Sequence, residues 1–167
     1  MVTFPNMLGI DTFAWYKFIE LYKDKWKDLM VRFLIEYKVF ITNDVKKEFQ
    51  YRFPDFEHLL EKITIEPRRI SNISYDHKIF DQADISLLEY AELNGYVIIT
   101  EDHAMLGQGV TKRRNIIQFC DLITLLYENN LVSSSDFNQI IKKLRKMKNI
   151  TKTKENELNK IRLQDNL

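Results

Sequence analysis

The sequence predicts an α/β fold: a three-layer α/β/α sandwich around a central, mainly parallel sheet of about four to five strands. Short apolar runs of strand type alternate with longer stretches of helical period, and a parallel sheet with helices on both faces is the economical solution for that alternation. Two of the runs, Leu8-Gly9-Ile10-Asp11-Thr12 and Val97-Ile98-Ile99-Thr100-Glu101-Asp102, end on an aspartate at or next to a threonine and pass into helix-like sequence. With 4 glycines and 3 prolines in 167 residues, the chain is mostly regular elements joined by short loops.

Met7 to Asp11 reads as a buried strand. Phe13 to Tyr37 is helical in pattern, with a break around Lys23-Asp24-Lys25; Phe18, Leu21, Tyr22, Trp26, Leu29, Phe33 and Leu34 recur close to a 3.6 period. Val39 to Thr42 is a second short strand, after which Asn43 is placed to cap a helix whose inner face is Val45, Phe49 and Phe53. Pro54 ends that helix. Asp55 to Lys62 is one more short helix, and Ile63 to Ile65 a short extended piece. A helix is expected over much of Tyr75 to Asn94, closed by Gly95 in the C′ position. Tyr96 to Thr100 is the next clear strand, Gly107 and Gly109 mark a loop, and Asn115 to Phe119 is a further strand. Asp121 to Asn129 and Asp136 to Met147 read as helices, the second capped from Ser133-Ser134-Ser135.

Composition narrows the function classes. The 25 basic and 24 acidic side chains nearly cancel, so global charge makes no case for nucleic acid; only a local patch can. A single cysteine, Cys120, excludes an internal disulfide, suits a reducing compartment, and lies in apolar sequence that marks it as a small buried thiol. No run reaches the ~20 apolar residues of a membrane span and no charged-then-apolar leader opens the sequence, so a cytoplasmic protein without membrane partners is expected. No Gly-rich phosphate loop, nucleophile elbow or Cys/His zinc pattern occurs.

The chemistry concentrates in carboxylates. In a parallel sheet Asp11 and Asp102 would leave the same carboxyl edge, where such folds keep their active sites. Asp11 can equally be a plain N-cap. Glu48, three after Val45 and next to Phe49, borders the buried stripe of its helix, as a salt-bridge partner or a ligand. Asp84 is four after Phe80 and four before Leu88, where the helix period asks for an apolar residue; Asp81-Gln82-Ala83-Asp84 is also a capping-box variant. Asp102, two after Thr100, is either an Asx-turn or the partner of Asp11 across the edge. In a doubly wound sheet all four acids fall at one edge. Two carboxylates ~4 Å apart repel by about 4 kcal/mol at an effective dielectric near 20, so a cluster of four calls for a counter-ion. Oxygen-only ligands suit Mg²⁺ or Mn²⁺ and not zinc.

These stretches together — Ile10-Asp11-Thr12, Glu48 in the helix after the second strand, Ala83-Asp84-Ile85 with Leu87-Leu88-Glu89-Tyr90-Ala91, and Ile98-Ile99-Thr100-Glu101-Asp102 — resemble the PIN-domain family of metal-dependent ribonucleases, as a VapC-like toxin or a free-standing nuclease. The resemblance covers roughly Leu8 to Leu126. It implies that Asp11, Glu48, Asp84 and Asp102 hold Mg²⁺ or Mn²⁺, that Thr100 orients a carboxylate or a water at the ion, and that Thr12 is the small polar residue that often follows the first aspartate. It implies hydrolysis of RNA phosphodiesters, often by a homodimer, commonly as the toxin paired with an antitoxin protein. On this reading residues 1–148 are the PIN-like nuclease domain and 149–167 a charged C-terminal helix or tail. The bulky Phe13, Trp15, Tyr16 and Phe18 after Asp11, and Glu101 before Asp102, depart from the common pattern.

Lys112-Arg113-Arg114 is placed to meet a phosphate backbone beside the acids, with Thr12, or to be a solvated loop. Arg68-Arg69 is a weaker phosphate candidate, and Lys142, Lys143, Arg145, Lys146 and Lys148 form a basic run. Two functions from different classes follow: a Mg²⁺/Mn²⁺-dependent endoribonuclease, and a catalytically inactive PIN-like module that binds RNA or protein.

Overall fold

The structure, a computed structural model, describes residues 5–111 and 115–147, with side chains left undescribed at 109–111. The chain divides into two compact units, Pro5–Gln118 and a second that begins at Phe119. The basic triplet Lys112-Arg113-Arg114, Lys148 and the expected tail 149–167 lie outside the described residues.

The first unit is built on five parallel strands: β1 (Met7–Ile10), β2 (Val39–Thr42), β3 (Thr64–Glu66), β4 (Tyr96–Ile99) and β5 (Ile116–Ile117), in the spatial order β3-β2-β1-β4-β5. Every neighbouring pair is parallel; Leu8 stands opposite Val39 on one side and Val97 on the other. The helices are α1 (Thr12–Lys23), α2 (Lys27–Glu36), α3 (Asn43–Arg52), a 3-10 helix over Pro54–Lys62, α4 (Gln82–Ala91) and α5 (His103–Thr111). The chain winds from β1 to β2 and β3 in one direction, then returns to β4 and β5 on the other side of β1. Right-handed crossovers therefore send the two sets of helices to opposite faces, giving the three-layer α/β/α arrangement expected from the sequence. Winding reverses between β1 and β4, and the crevice beyond their carboxyl ends is where such sheets bind ligands.

The central strands lie under helices on both faces, and Leu8, Ile10, Phe40, Ile41, Ile98 and Ile99 are fully buried. Gly9 is forced by that packing. A Cβ there would sit 2.7 Å from the Ile98 side chain and 2.8 Å from the Phe40 ring. Trp15, Phe18, Phe33 and Phe49 fill the layer beside α1, with Trp15 edge-on to Phe49 at 5.1 Å.

Four expected boundaries are corrected. Thr42, not Asn43, caps α3: its hydroxyl accepts from the Val45 N–H, and the helix starts one residue earlier than its cap was expected to allow. The helix expected over 75–94 is confined to Gln82–Ala91, because Asp81 caps its start and the preceding 75–81 are irregular apart from a turn at 77–79; Glu92 is its C-cap, and Gly95 (φ +82°) instead lies in the turn into β4. Gly107 and Gly109, read as a loop, lie within α5, where the Asp102 cap outweighs their low helix propensity. The strand expected over 115–119 is two residues long, since Phe119 already begins the next helix.

The second unit contains α6 (Phe119–Glu128) and α7 (Ser134–Lys146). Asn130 takes the left-handed turn between them (φ 61°), the Ser133 side chain caps α7, and the Tyr127 and Phe137 rings pack at 4.7 Å. Cys120 is buried, as its apolar context predicts. Among the described residues no helix is long and apolar enough to cross a membrane.

Candidate functional site

Each strand that flanks the switch point delivers a polar residue at its carboxyl end. Asp11 follows β1 and is 2% exposed. Its Oδ1 accepts from the Ala14 N–H as the cap of α1, and its Oδ2 accepts from the hydroxyl of Thr100, which follows β4 and is fully buried. The Asp102 N–H donates to the same Thr100 oxygen at 3.0 Å, and Asp102 Oδ1 caps α5 through the Met105 N–H. Asp11, Thr100 and Asp102 thus form one hydrogen-bonded chain across β1 and β4.

A second contact joins α1 to α3: the Thr12 hydroxyl donates to Glu48 Oε2. Asp84 sits in the first turn of α4 in a complete capping box. Its N–H donates to Asp81 Oδ1 at 2.9 Å, and its own Oδ2 accepts from the Asp81 N–H. Beside it, the Thr42 and Ser86 hydroxyls are 2.6 Å apart and tie β2 to α4.

The carboxylates feel one another. Burial pushes the Asp11 carboxyl up to about 7, helped by the charges of Asp84 and Glu101 and opposed by the Thr100 and Ala14 hydrogen bonds. Burial also pushes Asp84 up to about 7, with the charges of Asp81, Asp102 and Glu48 adding to it. Glu48 is raised by burial and by Asp81, while the Thr12 hydroxyl and the Arg52 charge hold it down. Asp84 is therefore the hub, coupled to Asp11, to Glu48 and to Asp102. No lysine or arginine among the described residues lies within ion-pair distance of any of these four acids.

Of the four acids expected to converge, Asp84 is coupled to the other three through their charges. Still, among the described residues no three His, Cys, Asp or Glu side chains are grouped tightly enough to hold a metal ion between them. The helix-start roles weighed for Asp11 and Asp84 are also realised, and Asp102, read as an Asx-turn, instead caps α5. Glu48 makes no salt bridge among the described residues. Arg68 and Arg69, weak phosphate candidates, are engaged otherwise: Arg68 pairs with Glu89 at 2.8 Å and Arg69 with Glu92 at 3.4 Å.

Two charged residues of the region, Asp81 and Glu101, were read from the sequence only in other roles, and one, Lys17, escaped it. Asp81 belongs to the acidic group as cap and neighbour of Asp84; the capping-box pattern named it, but only as a competing explanation for Asp84. Glu101 adds its charge to Asp11, and Lys17, buried among the α1 aromatics, feels Glu101 in turn. Nothing in the local pattern singles out a lysine whose position in the helical period is apolar.

The donor set has the chemistry a hard divalent cation takes: oxygen ligands only, and among the described residues no basic side chain in ion-pair contact with them. Mg²⁺ keeps several of its waters and needs only one or two direct carboxylates, which an open group of this kind offers.

No protein-family profile matches the chain, and no curated protein matches it. Among solved structures it is similar to a PilT N-terminus domain protein from the hyperthermophilic archaeon Sulfolobus solfataricus P2. The identity is 18%, the match covers 70% of this chain and 89% of that one, and the TM-score is 0.42. A similarity that loose does not assign the chain to a family.

Proposed function

We propose that the chain is a divalent-metal-dependent endoribonuclease of PIN type, with Asp11, Glu48, Asp84 and Asp102 as the residues that hold Mg²⁺ or Mn²⁺. The observation that carries this reading is the buried hydrogen-bonded chain Asp11–Thr100–Asp102 across the switch point between β1 and β4 of a doubly wound sheet, with Thr12 bonded to Glu48 beside it. A divalent ion bound there supplies Lewis-acid stabilisation of a phosphoryl group and lowers the pKa of a nearby water.

The protein's own residues supply the rest. Thr100 donates to Asp11 Oδ2 and accepts from the Asp102 N–H, so it ties the Asp11 carboxylate to the backbone that carries Asp102. Thr12 holds Glu48 toward the group. The caps of α1, α4 and α5 set three helix N-termini at this end of the fold. Their positive ends favour anions, both the resident carboxylates and an incoming phosphate. Lys112, Arg113 and Arg114, which follow α5 in the chain, remain the proposed contacts to the RNA backbone.

A second reading has its own support. Because each aspartate also closes a helix, all three have a structural reason to be there, and a PIN-like scaffold that binds RNA or protein without cutting needs nothing more. Cleavage separates the two. Incubated with single-stranded RNA, the parent is expected to cut only when Mg²⁺ or Mn²⁺ is supplied, and Asp11→Asn and Asp102→Asn are expected to lose cleavage while staying folded. Cleavage by both variants at the parent's rate would overturn the nuclease reading. A toxin role follows from the family resemblance alone. A short gene for a DNA-binding partner beside this one, and co-purification of its product, would establish it.

A further inference from the structure

We propose that Phe13, Tyr16 and Tyr51 form a stacking platform beside the acidic edge that takes unpaired nucleobases, so that RNA enters as a single strand. This rests on the nuclease reading and deepens it. Phe13 is 56% exposed, Tyr16 47% and Tyr51 86%. They are the exposed phenylalanine and tyrosine rings among the described residues, and all three lie on α1 or α3, the helices that carry Thr12 and Glu48. The other large exposed apolar side chains, Ile35, Ile70, Ile73 and Ile79, are aliphatic and lie on α2 or between β3 and α4.

Helix spacing puts two of the rings beside the acids. Tyr16 follows Thr12 by four residues and Tyr51 follows Glu48 by three, so each stands one turn along from a residue of the joined Thr12–Glu48 pair, on the same helix face. The buried contact of Trp15 with Phe49 at 5.1 Å fixes the two helices against each other. A solvated tyrosine or phenylalanine needs a reason on a surface where most rings are buried. Base stacking is one that does not depend on sequence, because every base has a π-face.

Charge complements the rings. Lys46, Lys47 and Arg52 of α3 are in no ion pair among the described residues, and the Lys17 ammonium lies 5.1 Å from the centre of the Tyr16 ring. Aromatics interleaved with cations are what a flexible polyanion with unstacked bases requires. A duplex, whose bases already stack on one another, cannot use such a platform.

The test is binding in the non-cleaving Asp11→Asn background, without divalent ions, of a fluorescein-labelled uridine oligomer. Adding Tyr16→Ala or Tyr51→Ala should weaken affinity by about tenfold or more each, and Tyr→Phe at the same sites should retain it, since the ring is kept. The matching duplex should bind more weakly than the single strand. Unchanged affinity in both Ala variants, or failure of Phe to rescue, overturns the platform. So does a dimer that falls apart in the Ala variants while RNA affinity stays constant, which assigns the rings to an interface between copies. Manganese-dependent cleavage by the parent is scored separately. Cleavage with affinity indifferent to the rings removes the platform alone; ring-dependent binding without any cleavage removes the nuclease reading alone; a parent that binds no single strand removes the platform outright.

Discussion

Asp11 shows how one carboxylate serves two ends. It caps α1, which any aspartate at that position would do, and it is buried beside other acids, which a plain cap avoids. Its pKa is raised, so the folded state binds its proton more tightly than the unfolded chain does. Stability therefore falls as pH rises from about 4 to about 7, and the loss is complete above that. A carboxyl pushed up to about 7 by burial corresponds to a penalty of up to about 4 kcal/mol at pH 8. Asp11→Asn is accordingly expected to raise stability in metal-free buffer at pH 8 by an amount on the order of 1–4 kcal/mol, less at pH 5 and least near pH 4. Chemical denaturation at those three pH values measures it. Thr100→Val removes the donor to Asp11 and leaves a buried acceptor short of one partner; a loss of about 1–3 kcal/mol is expected, with cleavage reduced, as unfolding and activity assays on the same sample would show. At this scale the sequence was legible where polarity broke an apolar pattern, as at Asp11 and Asp84. It was opaque where a charge matched its neighbours' role, as at Asp81, or where a lysine took an apolar slot, as at Lys17.

Among the elements, the strands and the two long helices were legible because their residues alone determine them: apolar runs bounded by caps. The main misreadings come from the choice of cap. Asp81 starts α4 at Gln82 instead of Tyr75 and deprives 75–81 of helical partners, and the Asp102 cap carries α5 through Gly107 despite its propensity cost. Register within the sheet depends on a side chain that is absent. Gly9→Ala would put a methyl within 3 Å of Ile98 and Phe40, both buried in the central strands. The expected cost is about 1–3 kcal/mol, seen as a lower thermal midpoint, with cleavage surviving in the folded fraction because β1 still delivers Asp11.

For the molecule as a whole, strand order turns a linear pattern into a site. Nothing local says that Glu48 and Asp84 face the residues that end β1 and β4. Alternation of strands and helices, with the handedness of the crossovers, is what makes a shared edge the expectation. How closely the acids approach one another was not legible, because it depends on side-chain rotamers: Asp84 is coupled to the others through their charges, yet among the described residues no three close into a cage. The most direct measurement is the thermal midpoint of the metal-stripped protein at pH 8, followed as Mn²⁺ is added, for the parent and for Asp84→Asn. A dose-dependent rise in the parent that is much diminished in the variant is the predicted result. No rise in the parent, or an equal rise in both, would contradict the claim that these acids share a divalent ion.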